Sequence, residues 1–208
     1  MAKKSSAEAP PMKLFYIFYS TERWNNWIST LREADFTGDP ESEEPPSGFQ
    51  ALYSFTEDIT IETLKIVKLF QNGRFSKEEA LEKIADVERI VMSEVPADEI
   101  GEMIESIQLS LLVLFNACRK YLEGGFDKEI KTMVKKGRSL VEENLEGALD
   151  CAGHIGASVI DGANCCEKYL KESAGETTLF DEWLIEIETM KEELKSLKNF
   201  DETAGEED

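Results

Sequence analysis

Histidine is nearly absent from this chain, with one residue, His154, in 208. That count excludes a His-Glu-x-x-His zinc site and the twofold Glu-x-x-His pattern of di-iron helical bundles, since each needs two. No phosphate-binding loop of the form Gly-x-x-x-x-Gly-Lys-Ser/Thr occurs. Basic residues are scarce too, 23 against 43 acidic ones, for a formal charge of -20. A surface that wraps nucleic acid needs clustered Lys and Arg, so nucleic acid is excluded as a partner and anionic membrane surfaces are disfavoured.

Long hydrophobic runs are also missing. The first ends at Tyr19 after starting at Leu14, and the other apolar peak, "IQLSLLVLF", covers Ile107 to Phe115 between charges. A secretory core takes roughly 7–15 apolar residues and a membrane helix about 20, so neither stretch suffices. With no export signal, the expected setting is cytoplasmic, where the four cysteines stay reduced thiols. Period-two strand alternation between turn signals is not found either.

What the chain does contain is helical periodicity. Residues 1–13 are polar and expected to be disordered, and 14–36 hold an aromatic arm, "LFYIFY", followed by a first helix carrying Trp24, Trp27, Ile28 and Leu31. Residues 37–48 are an acidic, Pro-rich linker, and 49–200 form the helical bundle. Within it the spacing predicts helices over Phe49–Gln71, from a Ser76/Glu79 capping box to just before Pro96, and over Asp98–Glu123. Further helices are expected over Asp127–Glu143, Asn144–Ile160 and Thr178–Asn199, with a short one near Cys165–Lys171. Residues 201–208 form an acidic tail. The stripe Ile100, Ile104, Ile107, Leu111, Leu114, Cys118 and Tyr121, with apolar residues on the remaining faces, places the fourth helix at the centre. The fold class is all-α: a bundle of six to seven helices with flexible ends.

The segments "FYSTERWNNWISTL", "ADVERIVMSEV" and "VIDG", in this order and spacing, resemble an uncharacterised protein family conserved in archaea, a domain of unknown function. The resemblance runs from about Phe15 to the last helix. It implies an archaeal cytoplasmic setting and brings no activity, cofactor or site residue with it.

Chemistry concentrates in "DCAGHIGASVIDGANCC", which holds the histidine and three cysteines. Cys151 and His154 are three apart and share a helix face, so they could donate sulfur and nitrogen to one zinc ion, with Cys165, Cys166 or Cys118 completing the set. An uninterrupted helix to Asp161 separates Cys151 from the later pair by about 15 Å, which argues against this. The alternative is close packing: Gly147, Ala148, Ala152, Gly153, Gly156 and Ala157 let the helix approach a neighbour, with Cys151 as a small buried residue. Packing is the favoured reading, with no metal or cofactor expected. Cys165 and Cys166, read as helical, point about 100° apart. A basic cluster, Lys128, Lys131, Lys135, Lys136 and Arg138, offers a contact for an anionic partner but reads more simply as exposed charge. Glu102 and Glu105 read as a solvated face.

Two sets of residues suit a protein partner. Phe15, Tyr16, Phe18 and Tyr19 of the arm could anchor an interface. Phe180, Trp183, Ile187, Met190, Leu194 and Leu197 fall at coiled-coil positions a and d, with Glu186 and Glu193 at g and Lys191 and Lys198 at e, which allows a homodimer. The simpler reading gives that stripe to the chain's own core. The favoured function is a non-enzymatic interaction, adaptor, or assembly or regulatory protein. The alternative is a thiol- or metal-responsive sensor using Cys151, His154, Cys165 and Cys166.

Overall fold

The structure, a computed structural model, describes residues 17–37, 46–171 and 177–200. The expectations for 1–13, for Phe15 and Tyr16, for most of the linker and for the tail at 201–208 lie outside the described residues. Among the described residues there are eight α-helices and no strand: α1 (Thr21–Glu33), α2 (Ser47–Gln71), α3 (Lys77–Val91), α4 (Glu99–Glu123), α5 (Ile130–Leu140), α6 (Leu145–Ile160), α7 (Glu167–Lys171) and α8 (Leu179–Ser196). A single 3-10 turn, Leu197–Asn199, follows.

The ends of these helices are fixed by short polar side chains that accept the first free backbone N–H groups. Ser20 accepts from the Arg23 N–H, Asp98 from Gly101 and Asn144 from Gly147. Ser76 with Glu79, and Thr178 with Asp181, form reciprocal capping boxes. Helix α4 stops at Gly124, whose φ of 80° is cheap only for glycine.

Helix α4 is the hub, in contact with α2, α3, α6 and α8. Ile104, Leu111, Val113, Leu114, Phe115, Ala117 and Cys118 are buried along it. By length and composition alone α4 could cross a membrane; 39% of its most apolar stretch is buried inside the bundle. Among the described residues one core runs from Phe18 and Trp24 in the first segment to Leu197 in the last. Arg23 ties α1 to α2 through its ion pair with Asp58, which also accepts from the Trp27 indole N–H at 2.7 Å.

Helix α6 reaches α4 over a face with almost no side-chain thickness. A Cβ on Gly156 would stand 2.5 Å from the Cβ of Ala117, and one on Gly153 would stand 2.7 Å from Asn116 Nδ2. The small-residue reading of this stretch is therefore the one its geometry supports. A second close approach was not anticipated: Gly137 of α5 lies against the Phe180 ring of α8, 2.0 Å from where its Cβ would be. In the sequence Gly137 reads only as part of the basic "KKGR".

Gly156→Ala and Gly137→Ala should each destabilise the fold by about 1–3 kcal/mol, because rigid neighbours must move. Urea unfolding checks this, with exposed Lys135→Ala on the same helix as Gly137 expected to stay within about 0.5 kcal/mol of the parent.

Candidate functional site

The cysteine and histidine positions come first. Cys151 and Cys118 are buried thiols; burial pushes both up, Cys118 to about 12, so neither is a ready nucleophile. The His154 Nδ1 accepts the Asp127 backbone N–H at 3.0 Å, and Nε2 faces Asp150 at 3.6 Å. Partial burial, helped by nearby Lys120, holds the imidazole below its ordinary value. Its lone pair is thus committed to the chain. Among the described residues no group of three or more His, Cys, Asp or Glu side chains is placed to share an ion.

Cys165 and Cys166 depart from expectation. They are joined in a disulfide between adjacent residues, and Cys166 has a φ of 78°. Reduced thiols were expected because the sequence carries no export signal, and thiols pointing apart because a helix was assumed there. Helix α7 begins only at Glu167, so the helical 100° step does not apply to the pair.

The proposed interface anchors are also displaced. Phe18 and Tyr19 are buried, with Phe18 edge-on to Phe75 at 6.0 Å. Phe180, Trp183, Ile187 and Met190 are fully buried, and Trp183 donates its indole N–H to the Leu109 carbonyl at 2.9 Å. Leu197 is buried and Leu194 partly so. The coiled-coil seam is covered by the chain's own helices. Lys191 bonds Glu188 of its own helix, which removes it from the pairing drawn for a dimer. The basic cluster is partly neutralised, since Lys128 pairs with Asp161 at 2.6 Å and Arg138 with Asp181 at 2.8 Å. Lys128 precedes α5, so it does not extend that helix's basic face. Glu102 and Glu105 are exposed.

The feature that stands apart is a cleft of about 430 Å³ between α2, α4 and α8. Leu52, Tyr53, Met103, Ile107 and Ile185 supply its apolar walls. Tyr53 is 56% exposed and Ile185 49%, high for such large apolar groups. Glu186 lines the cleft and is only 6% exposed. Glu57 lies on the α2 side, and a smaller adjoining cleft adds Glu182. Neither Lys nor Arg is among the lining residues of either cleft.

Glu186 differs from the other buried carboxylates in what it meets. Asp181 has Arg138, and Glu62 has Arg23 and Lys65. Glu186 has the Thr60 hydroxyl, which donates to its Oε1 at 3.1 Å. A neutral donor cannot offset the loss of hydration of a charged carboxylate. Burial therefore raises Glu186 to about 7, with the Thr60 bond pulling weakly the other way. Further along α8, Glu193 is raised as well, by burial and then by Glu57 across the groove. A larger polar cleft near the start of α6 is internally compensated: Arg119 pairs with Glu88, and Asp150 with Lys120.

Against known sequences, the family model described as an uncharacterised protein conserved in archaea, DUF2150, matches residues 17–203. The chain belongs to that family. No curated protein and no solved structure matches it. For this DUF2150 member, the local signal that marks Glu186 is its place on α8 between Trp183 and Met190, within one turn of each, on the side that packs inward.

The titration of Glu186 has a definite sign. The folded chain keeps its proton up to about 7, whereas an ordinary glutamate loses it near 4.5, so the folded state binds more protons between these values. This group's contribution falls as pH rises through that window and levels off above it. Glu186→Gln, which keeps an acceptor for Thr60, should match the parent near about pH 4 and exceed it by roughly 1–3 kcal/mol near about pH 8, read by urea unfolding.

Proposed function

We propose that this DUF2150 member is a non-enzymatic, cytoplasmic interaction protein that receives an amphipathic helix of a partner protein in the cleft between α2, α4 and α8. The observation that carries the reading is the exposure of Tyr53 and Ile185 on the walls of a cleft floored by partly buried apolar side chains. Apolar anchors at helical spacing fit grooves of this kind, and aromatic residues on the wall supply contact area at little entropic cost.

A second reading, a thiol-based sensor, is favoured by the Cys165–Cys166 disulfide. Opening it takes two electrons and two protons from a thiol reductant and yields two thiols beside α7. Its earlier metal-binding form loses support from the engaged imidazole of His154 and the buried Cys151. Equilibration against dithiol buffers, read by alkylation and mass spectrometry, should give a two-electron transition within the range of cellular thiols. A pair that stays in one state throughout rejects this role.

The docking reading is tested by photocrosslinking in native cells, with p-benzoylphenylalanine in place of Tyr53 and, as a control on another surface, in place of exposed Leu145. A discrete adduct from position 53 alone, mapped to an apolar helical segment of one protein, is the expected result. No adduct, or the same adducts from both positions, rejects it.

A further inference from the structure

The docking reading leaves one group without a role, the carboxyl of Glu186. An apolar helix laid over the cleft would remove the remaining water from this side chain while offering nothing in exchange. The energetic problem already present in the free protein would become worse. The lining therefore selects among apolar helices by what they carry opposite Glu186.

We propose that the partner helix carries a lysine or arginine between its apolar anchors, and that this side chain enters the cleft to pair with Glu186. The inference rests on the docking reading and specifies the chemistry of the partner. Charge complementarity carries it. Glu57, Glu182 and Glu186 line the two joined clefts, no cation does, and the one hydrogen bond to Glu186 comes from a neutral hydroxyl. A long basic side chain suits the place, because its methylenes can lie along Ile107 and Ile185 while its charged end reaches the carboxyl.

The groups around Glu186 set the pH behaviour. Helix α2 presents Tyr53, Glu57 and Thr60, and α4 lines the clefts with Met103, Ser106, Ile107 and Ser110, none of them titratable. Helix α8 itself adds Glu182 and Glu193. On the far side α6 meets α8 through Gly156 near Ile187. The charges nearest α8 from α5 and α7 are occupied elsewhere, Arg138 with Asp181 and Glu167 near Lys191. Among the described residues no cation lines either cleft. Below about 7 Glu186 is largely a neutral acid, so docking of an ammonium or guanidinium group expels its proton: carboxylic acid plus cation gives an ion pair plus one released proton.

The test uses the full chain and three synthetic amphipathic peptides of about 15 residues, with leucines at i, i+3 and i+7 and either Lys, Gln or Glu at i+4. Affinity is read by fluorescence anisotropy at about pH 8 and about pH 5.5 against the parent, Glu186→Gln and Ile185→Lys, each checked for folding by circular dichroism. The Lys peptide should bind the parent on the order of tenfold more tightly than the Gln peptide at the higher pH, with the Glu peptide weakest. That preference should shrink at the lower pH and vanish in Glu186→Gln, which at the higher pH should bind the Gln peptide at least as tightly as the parent does, because no buried charge is left uncompensated. If all three peptides bind alike and Ile185→Lys abolishes their binding, the docking reading stands and the cation inference is overturned. If no peptide binds, or Ile185→Lys changes nothing, the docking reading fails and the inference with it.

Discussion

The architecture depends on two places where a glycine leaves a helix with no side chain of its own against its neighbour. Gly156 lets α6 lie against Ala117 of α4, and Gly137 lets α5 lie against the Phe180 ring of α8. With side chains there, α8 could not sit deep enough to bury Phe180, Trp183, Leu184, Ile187 and Met190 together. The same depth carries Glu186 below the surface, because it shares the inward half of α8 with Trp183 and Ile187. The buried acid and the cleft above it thus follow from how closely α5, α6 and α8 are stacked.

That link also explains why one carboxylate is treated unlike the rest. In a chain of charge -20 most acids stay at the surface or find a cation, as Asp58 does with Arg23. Glu186 is buried beside a neutral hydroxyl instead, which leaves protonation as its means of avoiding an unpaired buried charge. A group held in this state responds to whatever enters the cleft. An apolar surface leaves it a neutral acid, and a cation draws off its proton. Binding and protonation are coupled through this single side chain.

Much of the fold was legible from periodicity and caps. The Ser76/Glu79 box and the stop at Gly124 carry local hydrogen bonds or backbone freedom that act within a few residues, so those boundaries could be read directly, while Asp98 and Asn144, expected as first helical residues, prove to be the caps just before them. Close packing by Gly153 and Gly156 was legible for the same reason, because small residues recur on one face. The cleft was not. Its walls come from α2, α4 and α8, and nothing local says that Tyr53 and Ile185 meet across it. Glu186 was placed at a g position of a possible dimer, since a heptad frame cannot say which neighbour fills a seam; here the chain's own helices do, as the simpler reading of the stripe had it. The Cys165–Cys166 pairing was hidden by an assumed helix that begins two residues later than that reading required.

Among the described residues Glu186 has no cationic partner, although it is buried at the edge of an open cleft. The carbon-13 shift of its side-chain carboxyl, identified by comparison with Glu186→Gln and followed from about pH 4 to about pH 9 in the free protein, tests this state. The account predicts a single titration with its midpoint near about 7. A midpoint at or below 4.5, the ordinary glutamate value, would mean that the carboxyl is solvated or already paired, and would contradict it.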